Sequence, residues 1–304
     1  MPNTEEKCRI CPRECGVDRI KEKGYCKVSG DHDTVRVSKV MLHFGEEPVI
    51  SGTKGSGAVF FSGCNMGCIF CQNYKISGTG RGKDISVNGL GGIFLDLQEK
   101  GAHNINLVTG THFTPQIVKA LEMVKPKLNI PVVFNCGGYE RVSALKMLEG
   151  LVDIYLPDIK YYDNAIAEKY SRAKNYFDAA SAALEEMVRQ RGRYMIENGL
   201  MKSGIIVRHL ILPNCYKDSI KIFTELEKYK DKILISLMRQ YFPTGKAEEY
   251  HEINRRITTF EYRKVLDRCT ELGFEGFTQE KGCENGDLTP DFDNGKLFEG
   301  NLEV

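Results

Sequence analysis

Cys64, Cys68 and Cys71 lie within eight residues, in the stretch Phe60-Phe-Ser-Gly-Cys64-Asn-Met-Gly-Cys68-Ile-Phe-Cys71-Gln-Asn73. A C-x3-C-x2-C spacing lets one loop wrap three thiolates around a cubane iron–sulfur cluster. A structural metal site is usually closed by four ligands, and an open coordination position is where chemistry happens. No His or further Cys follows within twenty residues. The triplet therefore predicts a cluster with one iron left free for a substrate or cofactor. The competing reading, a fragment of a zinc site, fits less well because zinc pairs are more often C-x2-C.

A second group opens the chain: Cys8, Cys11, Cys15 and Cys26, spaced C-x2-C-x3-C-x10-C. Four soft ligands in nineteen residues can close a complete site for zinc or for a second cluster, and spacing does not separate the two. Pro12, Gly16 and Gly24 suit the turns such a site needs. Segment 1–35 is otherwise polar and has little with which to build a core, so a metal would be its natural stabiliser. Unligated thiols and a disordered tail are the alternatives.

Elements that position these residues follow from the apolar pattern. β-branched runs occur at 57–62, 104–109, 131–135, 152–157, 205–212 and 232–238, with a weaker one at 274–278. Near-continuous apolar strands suit a parallel sheet covered on both faces. Helical periodicity fills 114–126, 140–149, about 176–191, 216–229 and 259–272. Strand–helix repeats of this length imply right-handed crossovers. The expected fold is α/β, a partial (β/α)6 TIM-like barrel over 51–304, with a small Cys-rich N-terminal extension over 1–50. The polar stretch 163–200 is the longest excursion and is read as a possible lid. No metal loop is read in 287–293.

Composition narrows the function classes. A chain of 304 residues can bury a large core, and one barrel of this size is ordinary. Its formal charge is +1, from 42 basic and 41 acidic residues, which argues for neither nucleic acid nor a membrane surface as partner. No run approaches the ~20 apolar residues of a membrane span. No basic stretch followed by an apolar run marks a secretory leader, so the expected location is cytoplasmic. Eleven cysteines then read as metal ligands or catalytic groups before disulfides.

Active sites of barrels and open α/β sheets form where strands end. That rule collects the Cys64–Cys71 loop, Thr109-Gly110-Thr111-His112, Asn135-Cys136-Gly137-Gly138, Asp158-Ile-Lys160, Arg208-His209, Met238–Tyr241 and Gln279-Glu280-Lys281. His112 and Cys136 are candidate substrate-facing groups. His112 is equally read as bonded to its own loop's backbone, and Cys136 more readily as a small buried residue. Glu46 and Glu47, close to His43, are read evenly as acid–base groups at the mouth or as an exposed turn.

The triplet, with Phe70 at the aromatic position, resembles the C-x3-C-x-aromatic-C signature of the radical S-adenosylmethionine (SAM) superfamily. The resemblance implies a partial barrel and a 4Fe–4S cluster whose free iron chelates SAM. An electron from the reduced cluster would cleave the sulfonium and release a 5′-deoxyadenosyl radical. Over roughly 40–280 the chain is similar, more narrowly, to the pyruvate formate-lyase activating-enzyme group. Asp158-x-Lys160 resembles an element that lies beside SAM, and Arg208-His209-Leu-Ile-Leu-Pro213 resembles its strand-five element. This implies cofactor-binding roles for Phe70, Thr109, Gly110, Thr111, Asn135, Asp158, Lys160 and His209. It also implies an electron donor such as flavodoxin or ferredoxin. Two departures stand out. Where the group has Gly-Gly-Glu this chain reads Thr109-Gly110-Thr111-His112, without a carboxylate, and its D-T-N-G is Asn135-Cys136-Gly137-Gly138. The substrate is thus expected to be either a glycyl radical enzyme or a small molecule or peptide. A non-catalytic iron–sulfur electron carrier is the distant alternative, since a carrier needs a closed four-Cys site and no barrel of this size.

Overall fold

The computed structural model describes residues 7–283, 289–293 and 296–299; Asp287 and Leu288 of the acidic stretch noted above lie outside them. In chain order the elements are β1 (Thr34–His43), α1 (Pro48–Ser51), β2 (Ser56–Phe61), α2 (Tyr74–Ser77), β3 (Lys83–Ser86), α3 (Val87–Glu99) and β4 (Ile105–Val108). There follow α4 (Thr114–Val124), β5 (Val132–Cys136), α5 (Val142–Met147), β6 (Ile154–Pro157), α6 (Asn164–Ser171), α7 (Tyr176–Arg191) and β7 (Met195–Glu197). The last are β8 (Leu200–Leu210), α8 (Tyr216–Leu226), β9 (Ile233–Met238), α9 (Thr259–Glu271) and β10 (Gly276–Thr278).

One sheet runs β10-β9-β8-β6-β5-β4-β2-β1-β3. From β2 to β10 every neighbour is parallel, as the apolar runs predict, in a mostly parallel α/β fold consistent with a partial TIM-like barrel. The expected strands and helices all occur, within a few residues of their expected ends. Several elements were not expected, among them β1, β3 and α3. β1 pairs antiparallel with β2, and β3 pairs antiparallel with β1. The second half of the 1–50 extension is thereby built into the sheet. Helix α3 forms the crossover from β3 to β4.

Strand alternation sorts the two faces. Val59, Phe61, Ile105, Leu107, Val207, Ile235 and Leu237 point outward into the main core beneath the helices. Val133, Ile154, Leu156, Ile206 and Leu234 point inward and pack with Ile50 of α1, which plugs the lower interior. Inward residues one step further along each strand are then free to line a site above the plug.

The stretch 163–200 is not a lid. Helix α7 carries Tyr176, Ala180, Leu184 and Met187 into the main core as a crossover, and β7 forms a hairpin with the start of β8. Helix α6 ends against the cysteine loop: Gly67 N–H donates to Ser171 C=O at 3.1 Å and Ile69 N–H to Tyr170 C=O at 2.9 Å. Among the described residues, no helix is long and apolar enough to cross a membrane.

Candidate active site

Above the Ile50 plug lies a cavity of about 360 Å³. Its lining includes Cys64, Cys68, Cys71 and Phe70 together with Glu46, Glu47, Arg208 and Ser236. Thr109, Asn135, Cys136, Asp158 and Lys160 also line its wall.

The cysteine loop leaves β2 through Gly63, whose φ is +81° and where a Cβ would stand 2.1 Å from the Cys26 carbonyl oxygen. Only glycine fits a left-handed residue pressed so closely onto backbone. Sulfur-directed hydrogen bonds then fix the thiols. Met66 N–H donates to Cys64 Sγ at 3.3 Å, Ser171 Oγ donates to Cys68 Sγ at 2.9 Å, and Ser77 Oγ lies 3.4 Å from Cys71 Sγ. Burial, the largest influence, pushes all three thiols up, Cys71 to about 11. Bound metal reverses that preference, because a coordinated thiol ionises outright. Among the described residues no three His, Cys, Asp or Glu side chains are grouped as ligands of a metal ion. The fit to an iron–sulfur group rests on the donor set itself: three soft sulfurs lining one cavity, each with a hydrogen-bond partner of the kind that tunes such clusters.

Lys160 Nζ donates to Asp158 Oδ2 at 2.5 Å, with the two side chains 16% and 22% exposed. Burial works against the ammonium, but the Asp158 charge and the nearby thiols outweigh it and push Lys160 up. Thr109 holds the left-handed φ of +60°, costly for a β-branched residue, at the wall where β4 ends.

Arg208 grips two carboxylates. Its Nε and Nη2 donate to Glu47 Oε1 and Oε2 at 2.9 and 2.6 Å, and Nη2 also donates to Glu46. Asn106 Nδ2 donates to Glu46 Oε1 at 2.7 Å, and Asn135 Nδ2 reaches the same oxygen at 3.4 Å. Burial works to raise the Glu47 carboxyl, but Arg208 outweighs it and holds Glu47 below its usual value. Glu46 and Glu47 are thus brought to the site by the turn before α1, not left on an exposed one. Sequence reasoning noticed these residues but not that Arg208 joins them; the signal was parity, since Arg208 shares the inward face with Ile206.

The structure separates other expected residues from the cavity. His209 follows Arg208 and so faces outward, where Nδ1 lies 2.6 Å from Ile159 C=O and Nε2 2.8 Å from Ser219 Oγ. Burial lowers it to about 4. Gly110 and Thr111 turn away after Thr109; Thr111 Oγ1 donates to buried Glu140 at 2.9 Å, and burial raises that carboxyl to about 8. His112 is buried with Nε2 2.8 Å from Ser62 C=O, and burial lowers it to about 3. The N-terminal cysteines lie outside the cavity but touch its loop: Cys64 N–H donates to Cys26 C=O at 3.3 Å.

A sequence model described as the radical SAM superfamily matches residues 58–201. An uncharacterized protein of Methanocaldococcus jannaschii is 34% identical over 283 residues, covering 90% of this chain and 77% of that protein. Among solved structures, a radical SAM methyltransferase from Sphaerobacter thermophilus superposes with TM-score 0.53 at 11% identity, covering 76% of this chain and 68% of that one. Methylornithine synthase gives 0.50 at 15%, covering 86% and 75%. Streptococcus suis SuiB bound to S-adenosylmethionine gives 0.50 at 10%, covering 73% of this chain and 49% of that one, so the chain spans about half its length. At these identities the structural likeness is one of fold.

Proposed function

The chain belongs to the radical SAM superfamily, and from that premise we propose that it cleaves SAM reductively in this cavity and abstracts hydrogen from a substrate held by Glu46, Glu47 and Arg208. The observation that carries the reading is the lining of the cavity, in which three thiols and a charged triad share one space. Cys64, Cys68 and Cys71 would hold the 4Fe–4S cluster. When bound, the reduced cluster supplies the electron that splits SAM into methionine and a 5′-deoxyadenosyl radical. Lys160 neutralises the SAM carboxylate, with Asp158 fixing its ammonium. Asn135 and the Thr109 backbone face the rest of SAM, and Phe70 packs beside the thiols. Asn106 of β4 and Asn135 of β5 both donate to Glu46 and orient it within the triad. The triad's two carboxylates and one guanidinium suit a small polar molecule or a peptide bearing hydrogen-bond donors.

Activation of a glycyl radical enzyme is the second reading, favoured by the Asp158–Lys160 pair at the place the activating-enzyme resemblance implies. A low-potential one-electron protein such as flavodoxin or ferredoxin would serve either reaction. The test is anaerobic reconstitution with iron and sulfide, then an assay for 5′-deoxyadenosine. Replacing Cys64, Cys68 and Cys71 together with Ala should abolish its formation; product from that variant sinks the proposal. Deuterium transfer into 5′-deoxyadenosine from labelled peptides, against a glycyl radical signal on a candidate partner enzyme, separates the two readings.

A further inference from the structure

Backbone hydrogen bonds fold the segment that carries the N-terminal cysteines back on itself. Cys8 N–H donates to Val17 C=O at 2.9 Å and Gly16 N–H to Cys8 C=O at 3.0 Å, closing residues 8–17 into a loop that returns Gly16 and Val17 to Cys8. Glu14 N–H donates to Cys11 C=O at 3.0 Å, and Lys27 N–H to Gly24 C=O at 2.9 Å, so Cys11 and Cys26 each sit in a turn. A Cβ on Gly24 would lie 3.2 Å from Cys26 Sγ and 3.7 Å from Cys15 Sγ, so the missing side chain leaves two sulfurs their room. All four are free thiols, with Cys11 and Cys26 buried.

This loop is fastened to the catalytic one. Cys64 N–H donates to Cys26 C=O, so a single hydrogen bond joins a residue of each cysteine group. Arg13, between Cys11 and Cys15, donates through Nε to Asn65 C=O, between Cys64 and Cys68, at 2.8 Å. The Arg13 guanidinium stacks 3.9 Å over the Tyr25 ring, which holds the bridge in place.

We propose that Cys8, Cys11, Cys15 and Cys26 bind a second iron–sulfur cluster that passes single electrons to the cluster at Cys64, Cys68 and Cys71. Soft thiolates alone select zinc or iron–sulfur. Zinc has no redox chemistry, and the direct fastening of one loop to the other is what an electron path requires. The balance is one electron per SAM. A reduced flavodoxin or ferredoxin gives up one electron and is oxidised; the N-terminal group is reduced and reoxidised in passing it on. The electron ends in the broken C–S bond of SAM, which leaves methionine and the carbon radical. The relay role rests on the SAM-cleavage reading above, whereas metal binding by the four cysteines does not.

The test uses the full chain, reconstituted anaerobically with iron and sulfide and analysed for iron, sulfide and zinc and by electron paramagnetic resonance after reduction. The wild type should hold about eight irons, the sum of two cubanes. The Cys64→Ala/Cys68→Ala/Cys71→Ala variant should keep about four of them, with a reducible signal that SAM does not alter. Cys8→Ser/Cys11→Ser should keep the SAM-responsive signal and lose SAM cleavage driven by flavodoxin. Because the first variant leaves the N-terminal loop untouched, misfolding of the second decides nothing alone. An iron-free triple variant, or zinc in place of iron, overturns the proposal. A triple variant that keeps iron while the wild-type signal ignores SAM supports the second cluster and overturns the SAM reading with its relay.

Discussion

Lys160 offers the sharpest single perturbation of the proposed SAM pocket. Its ammonium is held 2.5 Å from Asp158 in a largely buried position, aimed along the wall beside Cys68 and Cys71. A buried charge-assisted hydrogen bond is worth ~1.5–3 kcal/mol, and each 1.4 kcal/mol is tenfold in affinity, so Lys160→Ala should raise the SAM dissociation constant by about tenfold to 100-fold. The same substitution strands the Asp158 carboxylate, which can destabilise the fold. The double variant Asp158→Asn/Lys160→Ala removes that charge and should recover stability without recovering affinity. Lys160 is raised above its unfolded value, so the ammonium is fully charged below the usual lysine pKa of ~10.4 and is lost only at still higher pH. The affinity difference should therefore be flat across neutral pH. Anaerobic calorimetric titration of SAM into reconstituted protein measures both quantities. Unchanged affinity in Lys160→Ala, with the cluster loaded, would refute the placement.

Three further outcomes follow from the same geometry. Gly63→Ala forces a Cβ onto the Cys26 carbonyl under a left-handed φ, so it should cost at least ~1–3 kcal/mol and lower iron content, read by thermal melting and metal analysis; a normal melt and full iron would contradict the close approach. Arg208→Met leaves Glu46 and Glu47 buried without their cation, at ~3–5 kcal/mol. Glu47 is depressed in the wild type, so the pair's contribution is present above the usual carboxylate pKa of ~4.3 and lost as pH falls through the folded value. The variant should instead gain stability on mild acidification, and urea melts at two pH values show which way it moves. His209→Ala should lower stability by ~1–3 kcal/mol through its lost hydrogen bonds while leaving SAM affinity unchanged. With the imidazole lowered to about 4, its contribution is full above ~6.5 and lost as pH falls towards 4. A weakened SAM affinity in His209→Ala would return it to the site.

The parallel strands were legible because each is apolar on both faces, and the cysteine loop because three thiols in eight residues have few other uses. Helix α3 was hidden by Gly89, Gly91 and Gly92, which erase its helical propensity. One of them is there for packing: a Cβ on Gly91 would stand 2.9 Å from Val124 of α4. Strand β1 was hidden by Arg36 and Lys39, which break its apolar pattern; Lys39 is buried and pairs with Glu299 at 2.5 Å. That partner lies 260 positions away, beyond any local window. The wall residues Thr109, Asn135, Asp158 and Lys160 were found by the strand-end rule, but the rule does not distinguish neighbours. Alternation does, and applied to β8 it exchanges His209 for Arg208.

The sheet that opens this cavity to substrates also has two ends, and an unclosed sheet is a standing invitation to other chains. Among the described residues its outermost strands are β10, three residues long, and β3, four residues long with Lys83 and Asp84 exposed. Neither offers a long apolar ladder to a neighbour. Gly276 on β10 lies so close to Ile235 that a Cβ would meet its carbonyl oxygen at 1.9 Å, drawing that short edge tightly against β9. Two outer strands this short leave another chain little to join edge to edge.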